Sequence, residues 1–255
     1  MSKLPKQYRF VDLSDYGRSI AHKIALALKN TSVTPVQVTC LFILSGLFAI
    51  ICITNKFNFA AAFFLILKSI LDAADGELAR IKDSPSYIGR YFDSIADIIL
   101  NFLFLFTFWY ATDYSILYML LAFIGIQLQG TLFNYYYVIL RNSVDGDTTS
   151  RIFEDSAPTA MKGEKQETVD LFFRIFHLLY FAFDKTIYLM DKKAINSKPF
   201  PKWFMTLLSS FGLGFQLLIM SIMLVLNLEQ YVIPFFIFYS ILILVFIGIR
   251  RLILK

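Results

Sequence analysis

Apolar residues fall into six long runs separated by short polar breaks: 36–54, 57–79, 91–111, 114–140, 204–228 and 230–249. About 20 consecutive apolar residues cross the hydrocarbon core of a bilayer, so each run predicts a transmembrane helix. The breaks Asn55-Lys56, Thr112-Asp113 and Glu229-Gln230 mark three of the turns. Ahead of the first run, Ser14 to Lys29 reads as an amphipathic helix lying in the interface plane. Ser14 stands at its cap, Ile20, Ile24, Ala27 and Leu28 follow helical spacing, and Arg18, Lys23 and Lys29 surround them. The expected fold is therefore all-α and integral to the membrane, with six transmembrane helices plus an N-terminal amphipathic interfacial helix.

The stretch 169–190 is harder to place. Its apolar core, Leu171 to Phe183, is short and is broken by Arg174 and His177. A seventh crossing there would send the basic C-terminus to the opposite face, so a cytoplasmic interfacial helix is expected. The polar stretch 142–168 reads as a loop carrying specificity. The chain is expected to be a single membrane domain over 1–255: a cytoplasmic and interfacial region over 1–35, four spans over 36–140, a cytoplasmic segment over 141–203 and two spans over 204–249.

Composition agrees with this pattern. Of 255 residues, 57% are hydrophobic and the mean hydropathy is +0.62, which excludes an ordinary soluble domain. Of 24 Lys and Arg, six precede the first span, three lie from Arg80 to Arg90, ten from Arg141 to Lys202, and three close the chain. Six crossings bring all of these to one face, so both termini and the loops between them are expected to be cytoplasmic. The net charge of +5 thus faces anionic headgroups and not nucleic acid. The first thirty residues are polar, and no cleavable signal peptide is expected. Cys40 and Cys52, about 18 Å apart on one helix, are too distant for a disulfide.

Against this apolar background the acidic residues of 71–100 are conspicuous. Asp72, Asp75, Gly76 and Ala79 share one helix face, and Gly89, Asp93 and Asp97 form a second stripe. Pro85 lies in the linker between them, so the two helices can fold back with the stripes facing. Unit charges about 4 Å apart repel by about 4 kcal/mol at an effective dielectric near 20, and protons or cations must neutralise the group. Oxygen-only ligands favour Mg²⁺, Mn²⁺ or Ca²⁺ over Zn²⁺, and neither His22 nor His177 lies in the hairpin. Gly76, Ala79 and Gly89 leave room for a bulky ligand. One acidic pair at a span boundary would read as a solvated helix end; two pairs facing across a turn do not.

The stretch resembles the CDP-alcohol phosphotransferase family. It matches the signature D-x-x-D-G-x-x-A-R-x₈-G-x-x-x-D-x-x-x-D at Asp72, Asp75, Gly76, Ala79, Arg80, Gly89, Asp93 and Asp97. Upstream, Thr34-Pro35-Val36-Gln37-Val38-Thr39 is similar to the family's entry to the first span, with Val36 in place of a frequent asparagine. The resemblance implies an enzyme that splits the pyrophosphate of a CDP-linked alcohol, attaches the phosphoryl-alcohol to an acceptor hydroxyl and releases CMP. It implies that Asp72, Asp75 and Asp93 hold two Mg²⁺ or Mn²⁺ ions, and that Asp97 completes the cluster and acts as general base. Gly76, Ala79 and Gly89 would admit the donor and Arg80 a donor phosphate. Lys68 either touches a phosphate or neutralises Asp72, and Asn101 lines an acceptor pocket. Arg141 and Arg151 meet a phosphorylated acceptor or lipid headgroups. Gln127, Gln129 and Asn134 read as interhelical hydrogen-bond partners, and His177 as an interfacial residue.

The implied donor is CDP-diacylglycerol and the acceptor a small polar alcohol, in phospholipid synthesis. The alternative is transfer of a phospho-headgroup from a CDP-linked choline, ethanolamine or inositol. A homodimer follows from the family, and in a bacterium or archaeon the membrane would be the cell membrane. A divalent-cation carrier is the non-enzyme alternative; the absence of acidic residues inside the last two runs argues against it.

Overall fold

The structure, a computed structural model, describes residues 4–144 and 154–254. The described residues form ten α-helices joined by short turns and 3₁₀ segments, with no strand among them. In chain order they are α1 (Arg18–Leu28), α2 (Pro35–Thr54), α3 (Asn58–Ile81), α4 (Tyr87–Tyr110), α5 (Ile116–Ser143), α6 (Gln166–Met190), α7 (Lys202–Leu208), α8 (Leu213–Val225), α9 (Val232–Tyr239) and α10 (Leu242–Ile253).

Local chemistry sets the ends of the helices around the acidic hairpin. Thr34 and Gln37 form a reciprocal capping box, Thr34 Oγ1 accepting from Gln37 N at 3.3 Å and Gln37 Oε1 from Thr34 N at 2.9 Å, with Pro35 at the first helical position. Val36 does not disturb this box. α3 closes at Lys82, whose Nζ donates to the Thr31 and Val33 carbonyls, both at 2.7 Å. Asp83 then adopts φ +48°, a left-handed conformation that aspartate tolerates better than most residues. Ser86 caps α4 by accepting from Gly89 N at 2.8 Å.

Among the described residues, four stretches are long and apolar enough to cross a membrane: Pro35–Thr54, Tyr87–Tyr110, Ile116–Ser143 and Glu229–Ile253. A fifth exists if Lys202–Phe211 and Leu213–Val225, which meet at a 55° bend, count as one broken span. The expected second span is present as α3, as long as α4, but Lys68 lies near its middle and Asp72, Asp75, Glu77 and Arg80 fall in its second half. Those charges take it out of the class of apolar spans, so six plain spans is not what the helices present. The expected run 204–228 is interrupted at Gly212, where the backbone is extended (φ −68°, ψ 150°).

Gly212 is required by close approach. A Cβ there would overlap Ser14 Oγ, and one on Gly214 would overlap the Ser14 carbonyl oxygen. The N-terminal chain thus packs directly onto the start of α8, and Leu13 N donates to Ser209 Oγ at 2.8 Å. This also changes the expected amphipathic helix. Ser14 sits in a 3₁₀ turn, Leu13–Asp15, whose backbone Asp12 holds, and α1 starts later, after Gly17, with no side-chain cap.

α2 packs on α3 and α4, and α3 also packs on α1 and α8. Phe42, Leu65, Leu100, Phe104, Leu217 and Phe236 fill the main core. Gln129 joins three helices: its Nε2 donates to Ser240 Oγ at 2.9 Å and its Oε1 accepts from Gln216 Nε2 at 3.1 Å, as the reading of span-four amides expects. A second cluster under α7 and α10 surrounds Asp191, which is 1% exposed and accepts from Tyr136 OH and Arg250 Nε, each at 2.6 Å. α6 lies against α4 and α5. Tyr180 OH donates to the Ser94 carbonyl at 2.8 Å, and the rings of Phe173 and Phe183 meet those of Tyr91 and Phe123. Leu171, Leu178 and Leu189 remain exposed. It is not among the helices apolar enough to cross.

Candidate active site

The site forms where the end of α3 meets the start of α4. Each acidic stripe is short-range helical geometry; the turn over 82–86 brings the two together. One carboxylate oxygen each from Asp72, Asp75 and Asp93 lie within 4.8 Å of one another. Asp75 is buried, and its Oδ2 accepts from Thr39 Oγ1 of α2 at 2.6 Å. Asp93 Oδ1 is buried with no hydrogen-bond partner. A buried carboxylate oxygen left unpaired is costly, and an all-oxygen group with one open position fits a hard divalent cation.

Asp97 stands outside that group of three. It pairs with Lys68 Nζ, which also donates to Asp72 Oδ2 at 2.7 Å. The Lys68 side chain is 1% exposed, and its ammonium lies 4.4 Å from the centre of the Phe42 ring, a cation–π position. One lysine therefore ties the two helices together through charge. Glu77, one turn on, accepts from Arg80 Nη2 at 2.8 Å and lies 2.9 Å from His22 Nδ1 of α1. The Arg80 guanidinium passes 3.7 Å from where a Cβ on Gly76 would be. At Gly89 a Cβ would stand 3.2 Å from Ser86 Oγ, so glycine keeps the α4 cap uncrowded.

A cavity of about 1620 Å³ opens over this group, bounded by Asp75, Gly76, Ala79, Arg80, Gly89, Asp93 and Asp97. Its farther walls come from α6, with His177, Tyr180, Asp184 and Lys185, and from residues 154–164. That last segment is pinned at both ends. Glu154 accepts from Arg90 Nη1 and Nη2 at 2.6 and 2.7 Å and from Tyr91 OH at 2.9 Å. Glu164 accepts from Ser86 Oγ at 2.7 Å and Ile88 N at 2.9 Å. Burial, with a smaller like-charge push from Glu154, raises the Asp184 carboxyl to about 7. A smaller cavity, about 340 Å³, reaches Asp72, Asp75, Asp93 and Asp97 from the side of the N-terminal segment.

Residues 32–235 match the model of the CDP-alcohol phosphatidyltransferase family. The chain belongs to that family. Over 89 residues it is 39% identical to a bifunctional IPC transferase and DIPP synthase of Archaeoglobus fulgidus. The match takes in 34% of this chain and spans only 18% of that relative's length. The family is one of transferases named for their CDP-alcohol chemistry.

In this chain the structure brings together Asp72, Asp75, Gly76, Ala79, Arg80, Gly89, Asp93, Asp97 and Lys68 at one place. Asn101 is buried, 7% exposed, and borders neither cavity. Arg141 is 1% exposed and stacks 5.2 Å from the Tyr137 ring centre, also away from both cavities. Arg151 lies outside the described residues. Asn134 and His177 border the larger cavity. Thr39, Glu77, Glu154, Tyr180 and Asp184 were not singled out from the sequence. Thr39 alone had a signal, the Thr-Pro entry it closes; the others reach the site through folding.

Proposed function

We propose that the protein transfers a phosphatidyl group from CDP-diacylglycerol to the hydroxyl of a small polar alcohol and releases CMP. The observation that carries this reading is the convergence of Asp72, Asp75 and Asp93, with Asp93 Oδ1 unpartnered, beneath a cavity of about 1620 Å³. That cavity is lined by Arg80, Lys82 and Lys162 and also by Val138, Phe181, Leu189 and Leu213. Cationic and apolar walls in one space suit a donor with an anionic head and acyl tails.

Asp72, Asp75 and Asp93 would hold two Mg²⁺ or Mn²⁺ ions. Bound there, the ions would offset the pyrophosphate charge and stabilise the attacking and leaving oxygens. Asp97 takes the proton of the acceptor hydroxyl, and Lys68 keeps its carboxylate oriented for that task. Arg80 hydrogen-bonds a donor phosphate, while Gly76, Ala79 and Gly89 allow the nucleotide to approach the backbone. In this reading α3 is the sixth crossing, its charges shielded among its neighbours. Both termini and the site are cytoplasmic, and the working unit is a homodimer, as the family resemblance implies.

The name of the Archaeoglobus relative, bifunctional IPC transferase and DIPP synthase, is not that of a phosphatidyl transferase. It favours a second reading, transfer of a phospho-headgroup from a CDP-linked alcohol to a lipid or other acceptor. Purified protein with Mg²⁺ is offered one CDP-alcohol donor at a time, and CMP is measured. Release with CDP-diacylglycerol supports the first reading, and release only with CDP-linked headgroups supports the second. No CMP from any donor refutes both and leaves the cation-carrier reading.

A further inference from the structure

The carboxylates are reached from two sides, and the two approaches differ in size and in walls. The larger cavity is closed by α6 and residues 154–164. The smaller, about 340 Å³, is closed by the segment Asp12, Ser14, Asp15 and Arg18, together with Tyr137 and the start of α8. Asp75, Gly76, Arg80, Asp93 and Asp97 border both; Asp72 borders the smaller alone.

Phosphoryl transfer places the attacking and leaving oxygens roughly in line across the phosphorus. A donor whose pyrophosphate lies in the larger cavity turns its leaving oxygen toward that side, and the hydroxyl must come from another. We propose that the smaller cavity receives the acceptor, a small hydroxyl-bearing polar molecule, and that the N-terminal segment Asp12 to Arg18 selects it. The inference rests on the phosphotransferase reading above. In the step, the acceptor oxygen bonds to the phosphorus carrying the donor alcohol. The bond from that phosphorus to the bridging oxygen breaks, CMP leaves with the electron pair, and the hydroxyl proton passes to Asp97.

Volume supports this assignment. Small-molecule pockets run from about 300 to 1,000 Å³, so this one admits a small alcohol and excludes a diacyl lipid. Polar groups are already placed. Arg18 and Asp15 are paired with each other, and Asp12 Oδ1 accepts from Ser14 N at 3.0 Å and Ser14 Oγ at 2.6 Å. The segment is also seated with precision: Leu13 N is held by Ser209 Oγ, and Ser14 fills the space that Gly212 and Gly214 leave empty. A side chain at Gly214 would collide with the Ser14 carbonyl and push the segment off the cavity.

The test is steady-state kinetics of the full chain with Mg²⁺ and CDP-diacylglycerol. The acceptor is whichever of glycerol, serine, myo-inositol and glycerol 3-phosphate gives most CMP. Arg18→Gln and Gly214→Ala should each raise the acceptor KM by about tenfold, the loss of one charged hydrogen bond, while the donor KM does not move. Lys162→Gln, in the larger cavity, should do the reverse. If Gly214→Ala does not fold, the half-exposed Arg18 decides alone. An unchanged acceptor KM, or a donor KM that rises as much, overturns the acceptor assignment while CMP release keeps the enzyme reading. No CMP from unmutated protein with any acceptor overturns both.

Discussion

Lys68→Met removes the ammonium that Asp72 and Asp97 share, while keeping most of the side-chain volume between α3 and α4. At 2.7 Å and an effective dielectric near 20, one such pair attracts by about 6 kcal/mol before desolvation is counted. Removing one partner of a buried pair costs about 3–5 kcal/mol. Asp72 and Asp97 are 25% and 18% exposed and keep some hydration, so the lower end, about 3 kcal/mol, is expected. For a chain of this size that is a fall in Tm of about 6–12 °C, read by thermal unfolding in detergent without divalent ions. The carboxylates left behind then lack their cation, and added Mg²⁺ replaces it. An ion at about 100 times its Kd restores about 2.7 kcal/mol, so Mg²⁺ should raise the Tm of the variant more than that of the parent. A variant as stable as the parent without ions, or one with no larger response to Mg²⁺, refutes the claim that Lys68 neutralises Asp72 and Asp97.

Asp93→Asn preserves volume and breaks no protein hydrogen bond at Oδ1; Tm should stay put while CMP release falls by about a hundredfold or more. Chelation with EDTA should abolish CMP release, and Mg²⁺ or Mn²⁺ should restore it better than Zn²⁺; activity that survives chelation removes the metal assignment. Thr39→Val deletes the 2.6 Å bond to Asp75 and should cost about 1.5–3 kcal/mol in thermal unfolding. Asp184 holds its proton to about pH 7 when folded, whereas an unfolded aspartate loses it near 3.9. The folded state therefore binds more protons between those values, and stability falls as pH rises from about 4 to 7. Asp184→Asn should flatten the Tm against pH over that window.

Much of the site was legible because it is built from local spacing. Asp72 and Asp75, or Asp93 and Asp97, share a face by helical geometry alone, and Gly76, Ala79 and Gly89 announce where a ligand can approach. Lys68 was half legible. Its place one turn before Asp72 predicted that pair, but Asp97 is 29 residues away and no periodicity points to it. Asn101 and Arg141 show the limit from the other side. Each lies on a plausible stripe or edge, yet packing turns both away from the cavities. The second run has the length of a span, but whether its charges are tolerable depends on partners on other helices, which the apolar pattern does not show.

The sequence alone determined an all-helical chain with long apolar stretches, the acidic hairpin and the family it belongs to. These follow from hydrogen bonds and side-chain periods that close within a few residues. Only the tertiary structure decided that Thr39 meets Asp75, that α6 and Glu154 wall one cavity, and that Ser14 seats on Gly212 and Gly214 to wall another. Those contacts join segments tens to hundreds of residues apart. Close packing of particular shapes selects them, and a one-dimensional pattern does not encode that.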